Sequence, residues 1–426
     1  MLFRSKTHVS QAEINQISAG VVRLGALDGG NLVVSSALSY AHSDTVELAS
    51  AGTVTQSAAI NVASLSLLGT GGTYTLTNGS NNVTTLAGNT GSVDFKSNVS
   101  FAVGTVAGTT GITFTGNARL YAADALIPLG QTATYAGSGT GTLTLSSDID
   151  VDVSANAGVS GSGKLNIVLA ADGNEAGSAG RVAISGATLS TNGGNITIGS
   201  GDTPASRAAE GKADTGIGVN ITGSTLNSGT GGNILINGDG APSGTNAATG
   251  IGINVSASSL IAAGAGTITL NGKGGAGNSL TAGVAIGGDS TIRSASGAIA
   301  INGEQAATGA SRFGVLFRQD TANSALYSTG GGAITITATG TAGKIAANSS
   351  ITDYSKAFIG CASNVTCYGG IITLKADRLD LTDAGAGADS QRSIRVGGSG
   401  VLVIQANDGA TSIGVGSGAG DLAVRQ

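Results

Sequence analysis

Three aspartates, Asp148, Asp150 and Asp152, alternate with isoleucine and valine in one short stretch of the chain. In an extended strand alternate side chains point to the same face, so this spacing would place three carboxylates together. Such a group could bind a calcium ion or supply the acid and base of a glycoside hydrolase. A structural interpretation is simpler: the apolar residues fill a core, and the aspartates form a solvated outer face.

Catalysis at these carboxylates would need cationic or histidine partners. No Lys or Arg lies within a strand's length of the three aspartates, and no histidine follows His42. A Gly-Gly-x-Gly-x-Asp calcium repeat is also missing from the sequence. The sequence therefore predicts a protein that is not an enzyme and has no cofactor or metal. A β-helical polysaccharide lyase or glycosidase remains the alternative.

Cys361 and Cys367 are the only two cysteines. A metal site would need further ligands, and the two histidines, His8 and His42, lie far away in the sequence. A redox motif would have the spacing Cys-x-x-Cys, which this pair does not have. The pattern favours a disulfide that closes a small loop over two free buried thiols. A disulfide would in turn indicate an oxidising compartment.

The elements that carry these residues are indicated by a repeated phrase, Gly-x-Ile-x-Ile/Leu. Its copies are spaced by 38, 34, 31, 35 and 38 residues. They lie at Gly194 to Ile198, Gly232 to Ile236, Gly266 to Leu270, Gly297 to Ile301, Gly332 to Ile336 and Gly370 to Leu374. A repeat of this length indicates stacked supersecondary units, and the period-two alternation makes the units strands. The sequence predicts an all-β fold, a right-handed parallel β-helix with polar loop inserts.

The composition supports this fold and excludes several functions. Glycine contributes 73 residues and aromatic residues only 3%, as expected for a narrow aliphatic core with sharp corners. Charged residues make up 11% and the net charge is −5, without a basic run, so nucleic acid is not an expected partner. No stretch of about 18 apolar residues predicts a membrane span.

The repeat divides the chain into four parts. Residues 1–12 form a non-repeat segment, and residues 13–175 contain irregular coils of short alternating strands. Residues 176–390 follow the 31–38 residue repeat, and residues 391–426 begin a further block that is truncated. We expect about 12–18 coils and a body of about 60–90 Å.

Both chain ends fall within repeat-like sequence, and neither is expected to carry a cap. Unpaired end coils would favour end-to-end self-association. The first residues lack the apolar region of a signal peptide. We therefore interpret the chain as an internal piece of a longer polypeptide that carries its signal peptide elsewhere.

Four phrases together resemble the filamentous haemagglutinin family, the large two-partner-secretion exoproteins of Gram-negative bacteria. They are Gly194 to Ile198, Leu67 to Leu86, Val103 to Phe114 and Ile413 to Val424. The resemblance implies a right-handed parallel β-helix, secretion through an outer-membrane transporter and adhesion to a glycan or protein receptor on host or bacterial surfaces. The amino-terminal secretion domain of that family is absent here, and a cysteine pair is unusual for it.

The sequence thus predicts a structural and adhesive rod segment of a secreted or cell-surface adhesin. A second alternative, besides the enzyme, is ice binding by ranks of threonine such as Thr142 and Thr144. Asn195 and Asn233 occupy equivalent positions in other repeats, so the rank is broken.

Overall fold

A computed structural model describes most of the chain as stacked strands. The described residues are 8–123, 127–174, 180–212, 214–242, 249–276, 280–305, 311–318, 324–340, 344–347, 358–362, 367–380, 394–407, 413–415 and 422–424. Strands pair in parallel with the equivalent strand of the next coil, as a parallel β-helix requires. The predicted fold is confirmed.

Three ladders of parallel strands form the body, and we name them faces A, B and C. Face A contains Ala102–Val103, Ile127–Leu129, Val151–Val153, Val182–Ser185, Ile217–Thr222, Thr249–Ser256, Leu280–Ile286, Ser311–Phe317, Lys344–Ala347 and Arg378–Asp380. Face B contains Ile112–Phe114, Ala133–Tyr135, Ala157–Val159, Thr188–Ser190, Thr225–Asn227, Leu260–Ala263, Thr291–Ser294, Ala325–Ser328 and Phe358–Ile359.

Face C is the ladder that carries the repeated phrase from Gly194 onwards. It contains Leu32–Val34, Thr53–Gln56, Ala118–Ala122, Thr140–Ser147, Lys164–Ala171, Ile196–Ser200, Ile234–Asp239, Ile268–Lys273, Ile299–Glu304, Ile334–Thr339, Ile371–Lys375 and Val401–Gln405. The carboxyl-terminal halves of Ser64–Leu76 and Thr85–Ser97 complete it, which makes 14 successive strands. At about 4.8 Å per coil the ladder is about 60 Å long.

The remaining strands lie at the first coils, in the inserts and after the last face C strand. Val22–Gly25 and Thr45–Ala49 pair in order with the amino-terminal halves of the two long strands. The others are Leu38–Ser39, Ile60–Asn61, Thr105–Val106, Thr109–Thr110, Ala209–Glu210, Ile413–Val415 and Leu422–Val424. Only Thr105–Val106 and Thr109–Thr110 pair antiparallel among the strands that the structure describes.

One coil corresponds to one copy of the repeated phrase. On face C, Ile196, Ile234, Ile268, Ile299 and Ile334 are register partners in succession, and all are buried. The 31–38 residue spacing is therefore the length of a coil. Earlier coils are shorter: Val93, Ala118 and Leu143 are partners 25 residues apart. The difference in coil length comes from the inserts that connect one face to the next.

Steric contact between coils explains the glycine of the phrase. A Cβ on Gly232 would lie 1.8 Å from the carbonyl oxygen of Gly194, and one on Gly266 would lie 1.9 Å from that of Gly232. Asparagine side chains link the same corner: Asn195 Oδ1 accepts from the backbone N–H of Asn233 at 2.9 Å, and Asn233 Oδ1 accepts from that of Thr267 at 2.8 Å. These two kinds of contact hold the coils close together at these positions.

A short helix, Gln11–Ile14, lies at the first coil. Ser10 and Glu13 form a capping box, and Ile14 is buried. The Gln11 side chain donates to the Ser39 carbonyl at 2.8 Å and accepts from the Ser39 N–H at 3.1 Å. The helix thus satisfies the backbone of Ser39 in the short edge strand Leu38–Ser39, so the expectation that neither end carries a cap is wrong at this first coil. At the other end, Leu402 in the last face C strand is 41% exposed.

Candidate functional site

The structure does not place the three predicted carboxylates together on a solvated face. Asp148 lies in a bend after the face C strand Thr140–Ser147, and it is only 4% exposed. Its Oδ1 atom accepts a hydrogen bond from the hydroxyl of Tyr121 in the coil before. Burial and this carboxylate raise the pKa of Tyr121. Asp148 is therefore part of the packing between coils, and the solvated-face interpretation is wrong for this residue.

Asp150 and Asp152 contact two cationic side chains that are distant from them in the sequence and were not predicted as partners. Arg181 Nε lies 3.6 Å from Asp150 Oδ2, and Arg181 Nη2 lies 3.7 Å from Asp152 Oδ1. Lys212 Nζ lies 2.8 Å from Asp150 Oδ1. The backbone N–H of Arg181 also donates to Asp150 at 3.0 Å. We call Asp150, Asp152, Arg181 and Lys212 the charged cluster.

The coil stacking brings this cluster together. The strand Val151–Val153 pairs with Val182–Ser185, which follows Arg181 directly, and Lys212 comes from the insert of the next coil. Burial raises the pKa of Asp152, with Arg181 opposing the shift and Asp150 adding to it. The side chains of Asp150 and Arg181 are 14% and 23% exposed. Each cation contacts a carboxylate, so the cluster neutralises itself in a half-buried setting.

The two cysteines are joined by a disulfide. Cys361 is fully buried just after the face B strand Phe358–Ile359, and the pair closes a loop whose ends are six residues apart in sequence. Beside it the ring of Tyr368 stacks on that of Tyr327, with centroids 5.4 Å apart. The disulfide thus lies directly after the end of a face B strand.

A second feature, which we call the face C cleft, was not predicted. It encloses about 470 Å³ over the outward side of four successive face C strands. Its floor includes Asn237, Asn271, Asn302 and Thr337, which share one outward column. Asn271 Nδ2 donates to Asn237 Oδ1 and Asn302 Nδ2 donates to Asn271 Oδ1, each at 2.8 Å.

An insert builds one wall of this cleft. Its strand Ala209–Glu210 pairs with Gly238 and Asp239 at the end of a floor strand. The preceding residues Ala205, Ser206 and Ala208 line the cleft, and the Pro204 carbonyl accepts from Asn237 Nδ2 at 2.8 Å. Asn237 is accordingly only 6% exposed, whereas Asn271 and Asn302 are half-buried.

Charges line one side of the cleft. Asp239, Lys273 and Glu304 form an outward column, and Lys273 Nζ lies 3.5 Å from Glu304 Oε1. Burial raises the pKa of Asp239; Lys273 opposes this shift and Glu304 adds to it. Burial also raises the pKa of Glu210, the register partner of Asp239, and the charge of Asp239 raises it further. The described lining residues of the cleft thus include two carboxylates and one cation.

Comparisons with known proteins give no relative: no family model, no curated protein and no solved structure matches the chain. Within the described ranges, no helix has the length and apolar character needed to cross a membrane. The same part of the chain contains no group of three or more His, Cys, Asp or Glu side chains arranged to hold a metal ion.

Proposed function

We propose that this chain is a structural and adhesive rod segment of a secreted, haemagglutinin-like adhesin, which attaches to host cells or to other bacteria. The observation that carries the proposal is the continuous ladder of 14 face C strands with aligned, buried core residues. Each coil contacts only its neighbours, so such a stack is stiff and extended, and repeated surface groups can make many weak contacts in parallel.

The remaining partners follow from the resemblance in the sequence. The receptor would be a glycan or protein at a cell surface, and an outer-membrane transporter would act during secretion. The chain would then be secreted or held at the cell surface, and the disulfide of Cys361 and Cys367 suits such an oxidising location. End-to-end association is part of the same proposal, since Val401 and Leu402 of the last face C strand are 51% and 41% exposed.

Adhesion is tested by coating beads with the protein and counting the beads that attach to epithelial cells or bacteria. Because charged residues are only 11% of the chain, attachment should change little between about 0.1 and 1 M salt, where the Debye length falls from about 10 to 3 Å. Beads coated with albumin are the control. Attachment no better than that of albumin would refute the proposal.

A polysaccharide-active enzyme is the second candidate, and one observation favours it. Arg181 and Lys212 approach Asp150 and Asp152, so the cations that the sequence does not show near these carboxylates are supplied by other coils. Incubation with neutral and uronate-containing polysaccharides, followed by an assay of new reducing ends, would detect cleavage. Cleavage that Asp150→Asn abolishes would establish the enzyme. Absence of cleavage leaves the charged cluster as a structural ion-pair network.

The geometry also bears on the ice-binding alternative. Thr142 and Thr267 occupy the outward position that Asn166, Asn195 and Asn233 occupy in the coils between them. The side chains of these three asparagines accept hydrogen bonds from the backbone of the next coil, so they serve the fold. We do not propose ice binding.

A further inference from the structure

We propose that the face C cleft binds an uncharged polysaccharide chain that lies along the axis of the solenoid. This inference rests on the proposed adhesive function, for which it names the class of receptor. It is carried by the lining of the cleft: three asparagine amides in one column, the hydroxyls of Thr337 and Thr339, and a wall formed by the insert at 204–210.

The polar groups of the lining suit hydroxyl groups. An asparagine amide both donates and accepts hydrogen bonds, and a threonine hydroxyl does the same. Sugar hydroxyls have the same double capacity, so each can pair with an amide or a hydroxyl of the floor in either direction. Within the asparagine column one donor of each amide and one acceptor of Asn237 and Asn271 are engaged by the neighbouring coil. An amide has two donors and a carbonyl with two lone pairs, so further capacity remains for a ligand.

The column is also preorganised. The bonds from Asn271 to Asn237 and from Asn302 to Asn271 hold the amide planes in place before a ligand arrives. Side chains that are already fixed lose little conformational entropy on binding. The coils repeat at about 4.8 Å, so Asn237, Asn271, Asn302 and Thr337 place hydrogen-bonding side chains in one row over about 15 Å, with Asn237 largely covered by the insert. A polymer with a hydroxyl-bearing repeat can meet this row without bending.

The charges of the cleft argue against anionic ligands. Asp239 and Glu304 stand on the same side as Lys273, which is the one cation among the lining residues that the structure describes. Lys273 already contacts Glu304 at 3.5 Å. A uronate or a phosphate backbone would meet two carboxylates for each available cation, so its binding would be weak.

A bound peptide strand is also disfavoured. Peptides that add to a sheet pair with the free N–H and C=O groups of an edge strand. The floor strands here are each paired on both sides, for example Ile268–Lys273 with Ile234–Asp239 and with Ile299–Glu304. Among the lining residues that the structure describes, the largest side chains are polar or charged and the only apolar ones are alanines, so no large apolar residue is available to anchor a peptide.

Affinity electrophoresis of the whole chain tests the inference. Native gels would contain dextran, galactomannan or hydroxyethyl cellulose as neutral probes and polygalacturonate as the anionic probe. We expect retardation by at least one neutral probe and none by polygalacturonate. Asn302→Leu removes the amide at the end of the column and should weaken the binding about tenfold, the equivalent of one hydrogen bond to the ligand.

Asn220→Leu is the matched control. Asn220 Oδ1 accepts from Asn254 Nδ2 at 2.7 Å on face A, so its loss also removes one amide–amide bond, but it does so outside the cleft. This variant should bind like the parent chain. The inference is overturned if no neutral probe retards the parent chain, if polygalacturonate alone retards it, or if the two variants bind equally.

The bead assay separates this inference from the proposed function. If beads coated with Asn302→Leu attach to cells as well as the parent beads do, adhesion uses another surface and the inference about the cleft fails. If the parent beads do not attach although the neutral probe binds to the cleft, the adhesive function fails and the site stands.

Discussion

Replacing Gly232 with alanine should strongly destabilise the solenoid. The added Cβ would lie 1.8 Å from the Gly194 oxygen and 2.6 Å from the Gly194 carbonyl carbon. An ordinary contact begins near 3.4 Å, so the two coils would have to separate by about 1.6 Å at this corner. Both neighbouring atoms belong to the backbone, so no side chain can rotate away from the added methyl group.

The magnitude follows from what the separation would break. At this corner two backbone hydrogen bonds join the coils: the Ile196 N–H donates to the Asn233 carbonyl at 2.9 Å, and the Gly193 N–H donates to the Ser228 carbonyl at 2.7 Å. Each such bond contributes about 1 kcal/mol. Overpacking strain adds about 1–3 kcal/mol when the structure yields only in part. We therefore expect Gly232→Ala to lower the free energy of unfolding by about 3–5 kcal/mol.

Gly231→Ala is a control at the adjacent residue. No heavy atom lies within 4 Å of a Cβ built at Gly231, and its φ is not in the left-handed region. Alanine there should leave the stability unchanged or raise it by up to about 1 kcal/mol, because it restricts the unfolded chain. Urea titrations followed by far-UV circular dichroism give both values. A difference of less than about 1 kcal/mol between the two variants would refute the steric explanation of the repeated glycine.

Three further predictions concern groups that the coils bring together. Tyr121→Phe removes the hydroxyl that donates to the buried Asp148, so it should lower the free energy of unfolding in urea by about 1–3 kcal/mol. The control Tyr327→Phe, on a half-buried ring, should lower it by less than about 0.5 kcal/mol. Equal losses would contradict the buried hydrogen bond. The pKa values of Glu210 and Asp239 are raised, so the folded chain binds protons at these groups more tightly than the unfolded chain, and stability should increase as the pH falls from neutral towards about 4. The Glu210→Gln, Asp239→Asn double variant should show a smaller increase when urea midpoints are measured against pH. An unchanged slope would contradict the assignment of the pH dependence to these two groups. Replacing Cys361 and Cys367 with serine should cost about 2 kcal/mol, the loop-closure value for so short a loop. A reductant should lower the stability of the parent chain by a similar amount, and a parent chain that a reductant does not destabilise would contradict the disulfide.

The fold could be predicted from the sequence because each copy of the repeated phrase corresponds to one coil of the solenoid. Ile234, Ile268 and Ile299 recur at intervals of one coil, and each is buried directly above the last. The glycine before them recurs because the backbones approach too closely for a side chain. Alternation and glycine spacing are local, so they can be read without knowing which coils touch.

The candidate sites could not be predicted by the same means. The partners of Asp150 are distant in sequence, because Arg181 and Lys212 reach it from the following coils. A better rule for a solenoid is to look one coil length ahead of each charged residue, where Arg181 stands 31 residues after Asp150. The variable length of the inserts makes this rule inexact, since each insert shifts the next coil by its own length.

The inserts also explain why the cleft is found on one stretch of face C. In the earlier coils, successive face C partners are 19–25 residues apart. There the outward side chains of neighbouring coils pack against each other: the Lys96 Nζ atom lies 4.7 Å from the ring centroid of Tyr121. In the coil that follows Ile196 the length rises to 38 residues, and part of the addition folds back as Ala209–Glu210 onto the floor strand that ends at Asp239. The added residues therefore change the outer surface while the core column continues unchanged. A chain built in this way can acquire a binding surface by lengthening an insert at little cost to the stack, because loop length is weakly penalised and each coil depends only on its neighbours.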